Sequence, residues 1–290
     1  MIWTLFWLTG RLAGSVGASV LQKRLLGAGV GIGHLWMVTY GVIAIPAAGL
    51  LLAIPMPADP AFWHHALTAA ALDVAGNLAM AVSLRQSDLS VHGPLNAFRP
   101  AIAGLIGWLF LGEVPSATGL GGMAILTLGA LLLLDPGAAA GRHELHKSLA
   151  GGAWRLGGIT LSILGASSLK RALECGSAAW TLGIWVLAGS AALAIVRLLQ
   201  RRATRGPWSP GPAGSGPQVA VHAGVFLVMQ WCTLEIFQRT LLAYSFAWFQ
   251  LGMVAQVMLG HWLFHEPQIR RRLAACAILS AGALLILISG

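Results

Sequence analysis

The sequence predicts an all-α integral membrane protein with ten transmembrane helices, arranged as two inverted five-helix repeats. Composition carries the first part of this prediction, because 57% of the 290 residues are hydrophobic and only 9% are charged. The mean hydropathy is +0.77. A soluble domain has roughly 25% charged residues, so this chain could not cover a water-exposed surface. A sequence pattern that recurs at constant spacing carries the second part.

The net charge of +9 does not indicate a nucleic-acid partner. Lys and Arg fall mostly in short gaps between apolar runs, as is typical of membrane loops, and no basic face with interleaved aromatic residues emerges. The cysteines Cys175, Cys232 and Cys276 are too far apart in sequence to form a metal-binding or redox pair. We therefore expect no nucleic-acid partner, no metal and no cofactor.

Ten stretches are long and apolar enough to cross a bilayer, which takes about 20 residues each. Glycines spaced for close helix packing recur in them, such as Gly10-x-x-x-Gly14 and the cluster Gly119, Gly121 and Gly122. The first stretch has no basic start or cleavage site, so we interpret it as a retained helix. The predicted spans are 2–21, 33–54, 61–84, 91–112, 116–134, 152–172, 177–198, 219–241, 243–265 and 271–289.

An internal repeat relates the two halves of the chain. Residues 109–134 and 262–287 align at an offset of 153, which superimposes a glutamate, an Ala-Ile-Leu triplet and a Gly-Ala pair. Each copy has five spans, an odd number, so the second copy must enter the membrane from the opposite side. Inverted repeats are typical of secondary transporters, with the substrate near the midplane. We predict a first repeat over 1–135, a connecting loop over 136–151 and a second repeat over 152–290.

Ionisable residues inside predicted spans are costly and indicate function by default. Arg11, Asp73 and Arg99 are three such residues in the first repeat. Arg11 and Asp73 each lie about 18 Å deep, at 1.5 Å per helical residue. Arg99 lies roughly 13 Å deep on the same scale, so the three side chains could share one layer.

Asn77 and Asn96 share helix faces with Asp73 and Arg99. Three further amide side chains, Gln230, Gln250 and Gln256, lie at an equivalent depth in the second repeat. Two arginines against one aspartate leave a positive charge unbalanced, which a phosphate or carboxylate group could satisfy. Two alternatives stay open: a structural Asp73–Arg99 pair with Arg11 reaching an interface, or proton coupling through Asp73. The candidate substrate-binding residues are Arg11, Asp73, Asn77, Asn96, Arg99, Gln230, Gln250 and Gln256.

Two pairs of opposite charge near the other side are spaced i, i+4, a spacing that brings side chains together on a helix face. These are Lys170 with Glu174 and Glu235 with Arg239, and we expect them to be structural or gate-closing ion pairs. No catalytic motif is complete. His143-Glu144-Leu145-His146, for example, lacks the spacing of a zinc helix, so the sequence does not predict an enzyme.

One run of motifs resembles a known family. A polar turn at Ser90–Pro94, the sequence Leu-Gly-Glu ending at Glu113, and a helix containing Gly119 and Gly129 follow in order. This pattern resembles the EamA-type drug/metabolite transporter superfamily, over essentially the whole chain as two EamA units. The second copy has His265 where the usual glycine precedes the glutamate, so it departs from the family pattern.

The resemblance implies a secondary active transporter that moves a small metabolite by alternating access, in the inner membrane. The charge count adds that the substrate bears an anionic group, with a proton or other ion as a candidate coupling partner. The protein would be a monomer or a homodimer. Two other functions stay open: an accessory or flippase component that handles a lipid headgroup, and a proton-coupled exporter of drugs or amino acids. The predicted loops on one side of the membrane contain thirteen Lys and Arg residues, and those on the other side contain three. The positive-inside rule places the thirteen in the cytoplasm and both termini outside it, whereas the resemblance implies cytoplasmic termini.

Overall fold

The computed structural model describes residues 2–86, 95–132, 142–200, 208–252, 254–255 and 269–289. Within these ranges the chain is helical and has no β-strand, which confirms the all-α class. The helices are α1 (Ile2–Gly27), α2 (Ile32–Ala53), α3 (Pro60–Gln86), α4 (Arg99–Ile106), α5 (Ala117–Leu132), α6 (Arg142–Cys175), α7 (Ala178–Leu199), α8 (Ser215–Phe237), α9 (Leu242–Phe249) and α10 (Ile269–Ser289).

Three of the described helices, α2, α7 and α8, are by length and composition suited to cross a membrane. Shorter apolar helical stretches run over Leu95–Leu111, Ala117–Leu132 and Leu273–Ile288. The helices α1 and α3 are longer still, but their polar and small residues lower their hydropathy. The multi-span character is therefore supported, while the number of ten spans stays a prediction.

The helices group into two compact units, and each unit draws on both halves of the sequence. Unit 1 consists of Met1–Ala71 and Ser168–Gln238, and unit 2 consists of Leu72–Ser167 and Arg239–Gly290. The helices α3 and α6 contribute residues to both units, because a boundary falls inside each of them. The predicted repeat boundaries describe the sequence, not these packing units, and they stay a prediction.

In unit 1, α8 packs against α1 and α2, and α2 also packs against α7. The crossing of α1 and α8 depends on glycine: a Cβ added at Gly14 would lie 2.8 Å from the Cβ of Met229, and one added at Gly10 would lie 2.8 Å from the sulfur of Cys232. The spacing Gly10-x-x-x-Gly14 therefore marks a packing surface, as the sequence predicts.

In unit 2, α5 packs against α10, and α4 packs against α9. A Cβ added at Gly129 would lie 2.7 Å from the backbone nitrogen of Leu279, and one added at Gly282 would lie 2.6 Å from that of Leu126. The two contacts are equivalent, because Gly282 and Leu279 each follow their counterparts by the repeat offset of 153. The helices thus cross through matching positions of the two sequence copies.

The Leu-Gly-Glu motif ties the end of α4 to the start of α9. A π-helical turn at Gly107–Leu111 extends α4, and Gly112 then takes a left-handed conformation with φ of 68°. That turn positions Glu113, whose Oε2 accepts a 2.6 Å hydrogen bond from the backbone N–H of Leu242, the first residue of α9. A carboxylate at a helix N-terminus is favoured by the helix dipole, so Glu113 has a capping role.

Candidate functional site

Four polar residues of unit 2 lie close together, and we call them the polar cluster: Asn96, Arg99, Arg155 and Gln250. Asn96 is central to it. Its Oδ1 accepts a 3.0 Å hydrogen bond from Nη2 of Arg155, and its backbone carbonyl accepts a 2.8 Å bond from Nε2 of Gln250. Gln250 is only 7% exposed. The segment before α4, the helix α6 and the end of α9 thus converge on Asn96.

The two guanidinium groups of the polar cluster are poorly satisfied. Nη2 of Arg99 contacts the sulfur of Met80 at 3.8 Å, and a thioether is a weak acceptor. The Nε atoms of Arg99 and Arg155 are both buried without a hydrogen-bond partner among the described residues. Within the same ranges neither group forms a salt bridge, and the charge that acts on Arg99 is that of Arg155. Two like charges are therefore held near each other in a desolvated place, an arrangement that an anion would stabilise.

The helices α3 and α6 approach closely beside the polar cluster. A Cβ added at Gly76 would lie 2.9 Å from the backbone oxygen of Gly158, and one added at Gly158 would lie 2.7 Å from Cγ of Met80. Further along, the buried Ser83 hydroxyl donates a 2.7 Å hydrogen bond to the carbonyl of Gly151. Because Arg155 lies one turn from Gly158, this crossing also fixes the position of the Arg155 backbone.

We expect Gly158→Val to destabilise unit 2 and displace Arg155, since the added atoms would meet backbone and the Met80 side chain. Overpacking of this kind costs about 1–3 kcal/mol. The matched control is Gly157→Val, because a Cβ at Gly157 has no neighbour within 4 Å. Thermal unfolding of the two purified variants should show a lower midpoint for the first alone. Equal midpoints would contradict the close crossing.

The structure brings some of the predicted site residues together and places others elsewhere. Asn77 donates a 3.1 Å hydrogen bond from Nδ2 to Oδ2 of Asp73, so these two share a face of α3. Asn96, Arg99 and Gln250 meet in the polar cluster. By contrast, Arg11 and Gln230 belong to unit 1, and Gln256 lies outside the described residues. That all eight residues line one site stays a prediction.

Of the predicted ion-pair residues, Glu174 forms a 2.9 Å salt bridge with Arg171, its neighbour at i−3. Lys170 lies one residue before Arg171 on α6. Glu235 lies in the last turn of α8, and both it and Arg11 act electrostatically on Cys232, which places Arg11 toward that end of unit 1. Arg239 follows the end of α8. The gating role of these residues stays a prediction.

Unit 1 also has an apolar cavity of about 360 Å³ between α1, α2, α7 and α8. Trp7, Pro46, Leu182 and Trp231 are among the lining residues. These side chains offer no charge, so the cavity suits apolar atoms better than an ionic group. No group of three or more His, Cys, Asp or Glu side chains that could hold a metal ion lies in the described part of the chain.

Arg155 is the site residue that sequence reasoning misses. It falls close to the start of the predicted span 152–172, so it resembles a loop charge of the kind that sets membrane orientation. In the structure, α6 already begins at Arg142, and Arg155 lies more than three turns inside the helix. The missed signal is the stretch between residues 142 and 155, which contains no proline and so permits a longer helix.

Several apolar helices are consistent with a multi-pass membrane protein. Residues 2–135 match the model of the EamA-like transporter family, and this match supports a membrane transporter of the drug/metabolite type. Members of this family are transporters, not enzymes. The resemblance is thus confirmed on the first half of the chain, while a second EamA unit stays a prediction.

The fold is also similar to that of a solved structure described as "Crystal structure of protein". The similarity covers 100% of this chain and 99% of that one, with a TM-score of 0.76 and 16% sequence identity. At that identity the comparison shows a shared fold alone. No curated protein matches the chain.

Proposed function

We propose that this protein is a secondary active transporter of a small metabolite that bears a phosphate or carboxylate group. One observation carries the proposal: Arg99 and Arg155 are desolvated together, and neither has a carboxylate partner among the described residues. A buried charge without a partner is costly, and a ligand anion would supply two-point, charge-assisted hydrogen bonds. Asn96 would hold Arg155 in position for that ligand.

We also propose that transport proceeds by alternating access through ten spans, arranged as two inverted repeats in the inner membrane. The equivalent contacts of Gly129 with Leu279 and of Gly282 with Leu126 support the repeats. Contacts of this kind are expected when two copies of one motif pack on each other through a pseudo-two-fold axis. Alternating access would require that the site which holds the anion be exposed to each side in turn.

The test is a ligand screen on the purified protein in nanodiscs, followed by uptake into proteoliposomes. The probes are inorganic phosphate, a sugar phosphate, a dicarboxylate and, as a cationic control, a quaternary ammonium ion. At least one anion should raise the unfolding temperature and be taken up, and the cation should do neither. Stabilisation by the cation alone would contradict the proposal.

A variant separates the site from general charge effects in the same assays. Arg99→Gln should abolish most of the anion-dependent shift, because it removes one of two guanidinium groups. The matched control is Arg171→Gln, which removes the partner of Glu174 in an exposed salt bridge and should leave the shift unchanged. If Arg99→Gln responds to anions as the unmodified protein does, the polar cluster is not the binding site.

A further inference from the structure

His222 on α8 is a fully buried titratable residue in unit 1, with 0% of its surface exposed. Its Nδ1 lies 3.0 Å from the hydroxyl oxygen of Thr39 on α2, which is also 0% exposed. Its other ring nitrogen, Nε2, is buried and has no hydrogen-bond partner in the described part of the chain. The contact between α2 and α8 therefore satisfies Nδ1 of the imidazole and leaves Nε2 without a hydrogen bond within the described ranges.

Aromatic rings surround this histidine, and together with it they form what we call the ring cluster. Trp36 meets the imidazole edge to face at 5.8 Å, and Phe226 stacks on it at 6.3 Å with an interplanar angle of 11°. Tyr40 and Trp185 extend the cluster through contacts with Phe226 at 6.1 and 6.3 Å. The packing is that of an apolar helix core, with one polar heterocycle at its centre.

The hydrogen bond to Thr39 gives Nδ1 of the imidazole a structural role but does not account for the buried Nε2. A phenylalanine could fill the same space beside Phe226 without placing an unsatisfied nitrogen in the core, where a buried unpaired donor or acceptor is destabilising. Ionisable residues in membrane helices are expensive and mark function by default. Histidine is also the side chain whose charge changes near neutral pH.

The surroundings show which protonation state this conformation holds. Besides His222, Tyr40 is the titratable member of the ring cluster, and its ring contacts Trp36, Trp185 and Phe226. On α8 and the helices that pack against it, α1, α2 and α7, the described charged side chains are Arg11, Arg24, Arg197 and Glu235. None of them acts electrostatically on His222. An imidazolium would therefore be desolvated with no compensating anion, and the neutral ring fits the packed conformation.

We propose that His222 is a proton-binding site, and that it takes up its proton when α2 and α8 separate at the Thr39–His222 contact. A ligand shifts a conformational equilibrium by its difference in affinity for the two states. The packed state excludes the charged ring, and a hydrated, separated state accepts it. Acidification therefore favours separation of α2 from α8, and deprotonation favours the packed bundle. This inference does not depend on the anion site in unit 2.

Histidine-selective NMR of the full chain in nanodiscs tests the proposal directly. The chain has nine histidines, and the His222 resonance is the one that disappears in His222→Gln. Between about pH 8 and about pH 5, the window in which histidine titrates, this resonance should convert from the neutral to the protonated form. A His222 ring that stays neutral throughout this window would overturn the proposal.

Hydrogen exchange of the same samples tests whether protonation of His222 is coupled to the separation of α2 from α8. After correction for the intrinsic pH dependence, amides of α2 and α8 near Thr39 and His222 should exchange at least about tenfold faster at the acid end. One pH unit of differential proton binding corresponds to a tenfold change in the equilibrium constant. His222→Gln should abolish the acid-induced increase. The control His34→Gln, which changes a histidine of α2 outside the ring cluster, should keep it. An increase that persists in His222→Gln would overturn the coupling.

Discussion

Arg155→Gln is expected to weaken the binding of an anionic substrate by about 10- to 100-fold, the largest functional effect that the structure predicts. The variant removes a half-buried guanidinium group and its hydrogen bond to Oδ1 of Asn96. A hydrogen bond to a charged group contributes about 1.5–3 kcal/mol, and every 1.4 kcal/mol is a tenfold change in affinity. Titration of the purified protein with the anion found in the screen measures the effect, by calorimetry or by thermal shift.

Arg155→Lys separates charge from geometry. Lysine keeps the positive charge but offers no planar fork for two-point binding, so we expect an affinity between those of the unmodified protein and Arg155→Gln. Asn96→Ala should also weaken anion binding, but less than Arg155→Gln does, because it leaves the charge in place and frees the Arg155 side chain to move. If Arg155→Gln binds the anion as tightly as the exposed control Arg171→Gln does, the proposed site is wrong.

Helix positions could be predicted well wherever apolar runs end at turn residues. The predicted span 33–54 corresponds to α2, Ile32–Ala53, and 177–198 corresponds to α7, Ala178–Leu199. Prediction was poorer where a helix continues into polar sequence: the span 152–172 corresponds to α6, which begins at Arg142. Hydropathy reports which residues suit a bilayer, whereas helix length depends on backbone hydrogen bonds that polar residues form equally well.

Contacts within one helix could also be predicted, and contacts between helices could not. The spacing of Asp73 and Asn77 is enough to bring the two side chains together, and the structure has that hydrogen bond. The pair Asn96 and Arg155 is 59 residues apart in sequence. Nothing in either segment indicates the other, because their meeting depends on how α6 packs against the segment before α4.

The same physical argument applies, with a larger effect on stability, to the crossing of α5 and α10. Gly282→Val should lower the free energy of unfolding by about 3 kcal/mol, the upper part of the usual range for overpacking. An added Cβ at Gly282 would lie 2.6 Å from the nitrogen of Leu126 and 2.7 Å from the oxygen of Gly122. Backbone atoms cannot rotate away as a side chain does, so the two helices would have to move apart.

The control for this prediction lies on the partner helix. A Cβ at Gly121 has no neighbour within 4 Å, whereas one at the adjacent Gly122 would lie 2.8 Å from the oxygen of Gly282. Gly122→Val should therefore destabilise the protein about as much as Gly282→Val, and Gly121→Val should be nearly neutral. Unfolding midpoints in one detergent or nanodisc composition compare the three variants. Because both glycines serve one contact, the double variant should lose less stability than the sum of the two single variants. Fully additive losses would mean that the two positions do not share the crossing.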